Sequence, residues 1–571
     1  MAEILSPGVH ILEFDSGPVP MEGVGTSTAG FVGLAVKGPV SGAPQLVTGI
    51  ADFRRNYGSY LSENEFGDYR FLSYAVEHFF TNGGTRAYIS RVAPPDAKKA
   101  ISTVEGPLKL SASNVGAWGN DLKVVLSPAS KAKTQIFELV TPTQIRVKNS
   151  VGFNVGDVVV LTSGESKIYN RVIKSQDNII NLLDEFNESV VDNEISPKKI
   201  LSTCEFNLDV YHDDVAESYS NLSLNINISD YILKKLARSA LISIELNEIS
   251  EDATPPYTLL VGEDKADEKS VSITFDNGSN GSAAAVTADV YMGEDNGPGN
   301  RTGIQAFIDN SAVSIMAVPG ITDPNVQLTL VAHCENLASR FAVLDMPKDL
   351  TKPDDLLVHR ELFDTQYAAL YHPWLRVFDP LDKRDTYIPP SGPILGIYAR
   401  SDASRGVHKA PGNEVVRNCT GLSVSYNKAE QDILNPQGVN LIRAIPGSGI
   451  NVWGVRTASS NGIWKYINVR RLFIFIEESI KANTNWVVFE PNDEALWSRV
   501  ERTITSFLTT QWRDGALAGV TPSEAFYVNV GRSTMSQDDI DNGRLICEIG
   551  IAPSKPAEFV IFKLTQKTAT E

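Results

Sequence analysis

The chain reads as a multidomain α/β (α+β) protein, and three observations carry that reading. Strand, helix and strand patterns follow one another between residues 24 and 96, and the same alternation resumes after residue 297. The stretch between them changes character, with short β patterns set between Gly and Asn turns. The chain has 571 residues, and a single hydrophobic core seldom grows past roughly 250–300 residues. One discontinuous α/β domain carrying a mainly-β insertion, followed by a C-terminal α+β domain, accounts for all three.

Residues 1–23 read as an arm, because Val9-His10-Ile11-Leu12-Glu13-Phe14 is a lone β pattern between Pro7-Gly8 and Ser16-Gly17-Pro18. Its apolar members are Val9, Ile11, Leu12 and Phe14. The α/β domain then takes 24–96 and 297–455. Ala29–Ala35 predicts a buried strand, Tyr69–Asn82 an amphipathic helix stopped by Gly83-Gly84, and Ala87–Val92 a strand. Leu72, Val76, Phe79 and Phe80 form the helix's apolar stripe. Pro94-Pro95 marks a boundary. The insertion, 97–296, holds strand patterns at Ile145–Asn154, Asp157–Thr162, Ile168–Lys174 and Glu205–Tyr211, a short helix over Ser229–Ser239, and a long loop over Ala266–Gly299. After Arg301 come a strand at Ser314–Val318, a helix at Val326–Arg340, and strands at Phe341–Asp345, Tyr367–Tyr371 and Leu375–Phe378.

The last domain, 456–571, predicts helices at Val469–Lys481 and Glu494–Trp512 and strands at Trp486–Phe489 and Phe526–Val530. Leu545–Ile551 alternates as a further strand. A final β pattern, Phe559–Leu564, lies in a C-terminal arm of about 557–571. Its apolar residues are Phe559, Val560, Ile561, Phe562 and Leu564. A free strand at a chain end recruits another chain, so both terminal strands either tuck into the chain's own sheets or exchange between copies. Gly17-Pro18, Gly23 and Pro553–Pro556 are the hinge candidates.

Net charge is −18, which argues against a generally basic nucleic-acid binder. The charge is uneven. Residues 101–300 carry 16 Lys and Arg against 29 Asp and Glu, whereas 456–571 carry 13 against 14. The acidic middle suits water, where like charge keeps large particles apart; the balanced end suits contact with protein. On the helix from Glu494, Leu496, Val500, Ile504, Phe507 and Leu508 make a core stripe. That leaves Arg499, Arg502 and Arg513 as candidates for acidic partners, against the plainer reading of a solvated face. Arg470-Arg471 reads as a pair of salt-bridging surface residues. Cys204, Cys334, Cys419 and Cys547 lack Cys-x-x-Cys spacing and read as core thiols. No apolar run approaches the roughly 20 residues of a membrane span, and the N-terminus has no basic and apolar leader, so assembly in a reducing cytoplasm is expected.

Catalytic, cofactor and metal sites are not expected. His333 and His408 lack the setting of a Ser-His-Asp centre, and no serine motif follows them. Gly293-Glu-Asp-Asn-Gly-Pro-Gly-Asn-Arg-Thr302 has glycines but no Gly-Lys-Ser/Thr ending to hold a phosphate. No zinc or calcium spacing is present.

A resemblance adds to this reading. The chain carries P-G-V-H-I-L-E-F-D-S-G-P from Pro7, L-V-T-G-I-A-D-F-R-R-N-Y-G from Leu46, V-P-G-I-T-D-P from Val318 and H-P-W-L-R-V-F-D-P from His372. Near the end it carries Y-I-N-V-R-R-L-F-I-F-I-E-E-S-I from Tyr466 and W-V-V-F-E-P-N-D-E from Trp486. In their order and number these resemble the contractile tail sheath family of phages and related injection systems, over residues 1–100 and 297–571. The resemblance implies a subtilisin-like α/β domain without the enzyme, and a homopolymer that surrounds an inner tube and contracts to drive it through a target envelope. It implies strand-exchanging arms at both termini, and as partners other copies of the chain, the tube protein, and baseplate and tail-terminator proteins. Nucleic acid and membrane insertion are not among them. A static capsid-like or surface polymer, or an enzyme on a degenerate protease fold, are the other readings.

Overall fold

The computed structural model describes residues 21–102, 108–163, 166–185, 199–246 and 253–561. Its centre is a nine-stranded sheet. Six strands in the middle run parallel, in the order Ala87–Val92, Ala29–Leu34, Ile315–Ala317, Phe341–Asp345, Ala368–His372 and Val439–Ile445. Antiparallel strands close both sides: Gln45–Val47 on one, Gly449–Val452 and then Glu414–Val415 on the other. Parallel strands need crossover helices on both faces, so the middle strands are buried on both. Ala29–Leu34 shows this directly. Ala29 and Phe31 join one core cluster, Val32 and Leu34 the other.

Helices Leu72–Asn82 and Ser391–Arg405 cover one face and lie close together. Gly392 makes this possible, because a Cβ there would stand 2.5 Å from the Ala75 backbone. Helix Leu72–Asn82 ends as expected, with Gly83 left-handed and its N–H turned back to Phe79 and Phe80. Its start is later than Tyr69, because Gly67–Tyr69 forms a 3₁₀ turn instead. Pro324–Leu337 covers the other face. Proline occupies its first turn, where no N–H partner is needed, and Asp323 accepts from the Asn325 N–H at 2.8 Å.

Residues 101–276 build a seven-stranded sheet and a closed six-stranded barrel. Ile145, Val159, Leu161, Val172, Ile180 and Leu201 fill the barrel. Asp177 and Asn178, both at positive φ, turn one of its hairpins. Arg91, at the end of a central strand, donates to the carbonyls of Ala35, Gly38 and Val115 at 2.9, 2.6 and 2.9 Å, which ties the root of this region to the central sheet. The long loop expected over Ala266–Gly299 is not all loop. Val271–Asp276 is an interior strand, with Val271, Ile273 and Phe275 buried, and Ala288–Met292 is a helix. The strand's alternation is short and sits among Gly, Asn and Ser, which hides it. The strand expected over Ile145–Asn154 stops at Val147.

The C-terminal region packs helices Ile467–Asn483 and Glu494–Arg513 on a two-stranded sheet of Phe526–Val530 and Cys547–Ile551. Leu496, Val500, Ile504, Phe507 and Leu508 are all buried, and Leu545, Cys547, Ile549 and Ile551 lean on the same core. Trp486–Phe489 is not a strand. Asn485–Val487 is a 3₁₀ turn between two helices, where no strand among the described residues lies alongside to pair with it. Cys204, Cys334, Cys419 and Cys547 are free thiols, and no helix among the described residues is long and apolar enough to cross a membrane.

Candidate functional site

The first and last described segments of the chain are both held at one helix. Ile467–Asn483 has 17 residues and is about 25 Å long at 1.5 Å per residue. Its C-terminal end holds the root of the N-terminal arm. The Asn483 amide donates to the Glu22 carbonyl at 2.9 Å, and the Val24 N–H donates to the Ser479 hydroxyl at 3.1 Å. Gly23 lies against the Phe475 ring, where a Cβ would stand 2.7 Å away. Val9, Ile11, Leu12 and Phe14 lie outside the described residues.

One turn into the same helix sits a buried node. Arg471 donates two bonds to Asp402, at 3.0 and 2.5 Å, and one to the Thr26 carbonyl at 2.9 Å. The Thr26 hydroxyl donates to Asp402 at 2.6 Å. The two charged side chains are 3 % and 5 % exposed, and the guanidinium stacks over Tyr398. Arg470, also buried, pairs with Glu477 at 2.7 Å and lies over Tyr367 and Trp464. Arg470 and Arg471 are therefore not the surface pair that the sequence suggests. Asp402, Thr26 and Tyr398, which make the burial of Arg471 tolerable, stand far away in the chain, so no local pattern announces them, whereas Glu477 and Trp464 meet Arg470 from within seven residues.

The other end of the helix holds Ser554 and Glu558, through the Asn468 amide, which donates to the Ser554 carbonyl at 3.2 Å, and through Tyr466. Leu517 bridges Pro553, and the Ser554 N–H donates to the Ala516 carbonyl at 3.1 Å. Glu558 is then clasped. Arg456 donates to its two carboxylate oxygens at 2.8 and 2.9 Å, Asn435 at 2.8 Å and the Tyr466 hydroxyl at 2.9 Å, with Lys465 at 3.6 Å. Burial alone would raise this carboxyl's pKa, but the Arg456, Asn435 and Tyr466 donors outweigh it and hold it at about 2. The Pro553–Pro556 hinge candidate is thus pinned at Pro553 and Ser554 on one side and at Glu558 on the other. Directly beyond the clasp, Phe559, Val560 and Ile561 are 72 %, 68 % and 80 % exposed and belong to no strand. Phe562 and Leu564 lie outside the described residues.

The two-stranded sheet has no third strand among the described residues, so both outer edges offer backbone groups. Its inner face rests on the helices, while Tyr527 covers Gly550 across the outer face. On helix Glu494–Arg513, Arg499, Arg502 and Arg513 fall within about 60° of one another at 100° per residue, and all three are exposed. Arg499 is already engaged, to Glu490 at 3.0 Å and over the Trp486 ring.

A carboxylate and a hydroxyl do meet at the C-terminal ends of the parallel strands, where α/β proteins place active sites. Asp345 accepts from the Ser391 hydroxyl and N–H at 2.7 and 2.8 Å and from the Gly320 N–H at 3.0 Å. Burial raises its carboxyl pKa to about 6 despite these donors. Both residues are buried, and His372 bonds Tyr426 instead. The arrangement caps helix Ser391–Arg405 and joins it to the sheet; it does not present a nucleophile. His333 is held against Arg340 at 3.2 Å, and burial lowers its pKa to about 3. Among the described residues no three His, Cys, Asp or Glu side chains gather as a metal site.

Comparisons with known proteins follow this geometry. Residues 286–458 match the phage tail sheath protein central domain, and 459–567 match the phage tail sheath C-terminal domain. The tail sheath protein of Burkholderia phage BcepMu is 28 % identical over 255 residues, 41 % of this chain and 53 % of that protein. The chain thus spans about half the length of that relative. The sheath of an extracellular contractile injection system, PVC, solved in its contracted state, aligns with a TM-score of 0.53 at 19 % identity, over 99 % of both chains. A sheath tail protein of Listeria innocua aligns with a TM-score of 0.53 at 11 % identity, over 94 % of this chain and 96 % of that one.

Proposed function

This chain belongs to the contractile tail sheath family, and from that premise we propose how its geometry serves a contractile sheath. It is a structural subunit. It polymerises with its own copies around an inner tube, and rearrangement of the polymer drives the tube through a cell envelope. Baseplate and terminator proteins bound its two ends, and assembly precedes release from the producing cell. The family is a structural one, and the buried Asp345–Ser391 cap is in keeping with that.

The observation that carries the mechanism is the presence together of a two-stranded sheet with no third strand among the described residues and of an exposed apolar segment, Phe559, Val560 and Ile561, that belongs to no strand. Arms of neighbouring copies, 1–23 and about 557–571, would add strands to those edges. Main-chain hydrogen bonds then link copies, and they survive rotation of the bodies if the arms swing. In this reading the body, 24–96 with 297–455, is subtilisin-like. The insertion, 97–296, faces outward, where its net charge of −13 over residues 101–300 is solvated. The unit 456–571 faces the tube and presents Arg502 and Arg513 to acidic groups there. Each new contact contributes little, but the sum over many copies is large, so contraction needs no bound nucleotide.

Deleting residues 1–20 or 559–571 tests this. Both chains should fold and stay unpolymerised, and Val560→Pro should act similarly by removing a ladder donor. Sheaths of normal length from either truncation refute strand exchange.

A further inference from the structure

We propose that Phe489 is a docking knob between copies of this chain. Its phenyl ring is fully exposed, at 102 %, and its neighbour Val488 is 60 % exposed. Its backbone sits at φ 72°, a left-handed conformation that a bulky side chain adopts only at a cost. The Trp486 indole N–H, three residues before it, is buried with no acceptor among the described residues. Exposure, strain and an unpaired donor fall within four residues, and none of them benefits the isolated chain.

The loop is nevertheless held in place. Arg499 lies over the Trp486 ring and pairs with Glu490 at 3.0 Å. Asn492 accepts from the Trp497 indole at 2.7 Å and donates to the Arg544 carbonyl at 3.1 Å. Asp493 caps the following helix through the Leu496 N–H at 2.8 Å. These braces on both sides fix the backbone that carries the ring before any partner arrives. That preorganisation is what makes an exposed aromatic a strong anchor and not a mobile one.

The position of the loop selects the occupant. Phe489 follows Asn483 by six residues, and Asn483 bonds the root of the N-terminal arm. Met21 packs in the same apolar cluster as Trp486 and Val487. Phe489 and the described root of the N-terminal segment, Met21 and Glu22, therefore lie at one corner of the body. If the arm reaches a neighbouring copy, that corner is where two copies meet; this step rests on the strand-exchange reading above. The inner tube is the other macromolecule within reach of this region, and the experiment separates the two.

Replace Phe489 by p-benzoylphenylalanine in the full chain and irradiate intact particles. The expected adduct has twice the chain mass. An adduct with the tube protein, or no adduct, overturns the proposal. In parallel, Phe489→Asn removes the ring and suits the left-handed backbone. Its melting temperature should equal or exceed that of the parent, while the concentration needed for self-assembly without tube rises about tenfold or more, as for loss of a central aromatic contact. Unchanged self-assembly overturns the proposal. So does a lowered melting temperature, which would make Phe489 a structural residue. Neither readout depends on the arm truncations, so a failure of strand exchange is recognised separately.

Discussion

Glu558→Gln tests whether the C-terminal arm is anchored by one carboxylate. The parent carboxyl is held at about 2 against an ordinary 4.5, which favours its charged form by about 3 kcal/mol. Its side chain is only 12 % exposed, so little of that is lost to solvent screening. Glutamine keeps the shape but loses the charge, and it turns an NH₂ toward Arg456 or toward Asn435 and Tyr466. Transient opening of the arm base should then rise by about a hundredfold. Hydrogen–deuterium exchange resolves this. A peptide covering 552–561 should take up deuterium faster at pH 7, while the helix Ile467–Asn483 keeps its protection. Because the folded-state pKa is depressed, the stabilisation is complete above about 4.5 and fades as pH falls toward about 2. The parent should therefore acquire the fast exchange only in that acid window, and the variant should show no such transition. Equal exchange in parent and variant at pH 7 would refute the clasp.

Three further outcomes are expected. Asp402→Asn strips one partner from the buried Arg471 pair and should cost about 3–5 kcal/mol, read by urea unfolding; a joint replacement of both residues by Leu and Met should recover much of it. Gly396→Ala should lower the melting temperature through a loss of about 1–3 kcal/mol, because the added methyl would press on the Phe79 carbonyl. Charge reversal at Arg502 and Arg513 together should weaken co-assembly with the tube at unchanged melting temperature; reversal at Arg499 would also break its bond to Glu490 and is the less clean probe.

Much of the local structure was legible in the sequence, because it rests on interactions a few residues apart. The buried run Ala29–Leu34, the Gly83 stop, the core stripe from Leu496 to Leu508 and the closing strand Cys547–Ile551 each follow from spacing and side-chain type. The exposed apolar arm was legible for the same reason: Phe559, Val560 and Ile561 need only their own chemistry to look sticky. What remained hidden depends on closure over long separations. Glu558 meets Arg456 across 102 residues, and Asp402 meets Arg471 across 69. Alone, each looks like an ordinary surface charge. Only the tertiary structure gives it a buried counterion, and only that counterion makes burial tolerable. The strand Val271–Asp276 was lost similarly, since its place inside a sheet comes from Lys123–Ala129, well over a hundred residues earlier. Sequence determined most of the helices and strands, those whose pattern lies within the segment itself. The tertiary structure decided where Glu558 is pinned, which arginines are interior, and which backbone edges stay unpaired among the described residues, because those depend on which distant groups fill the space around them.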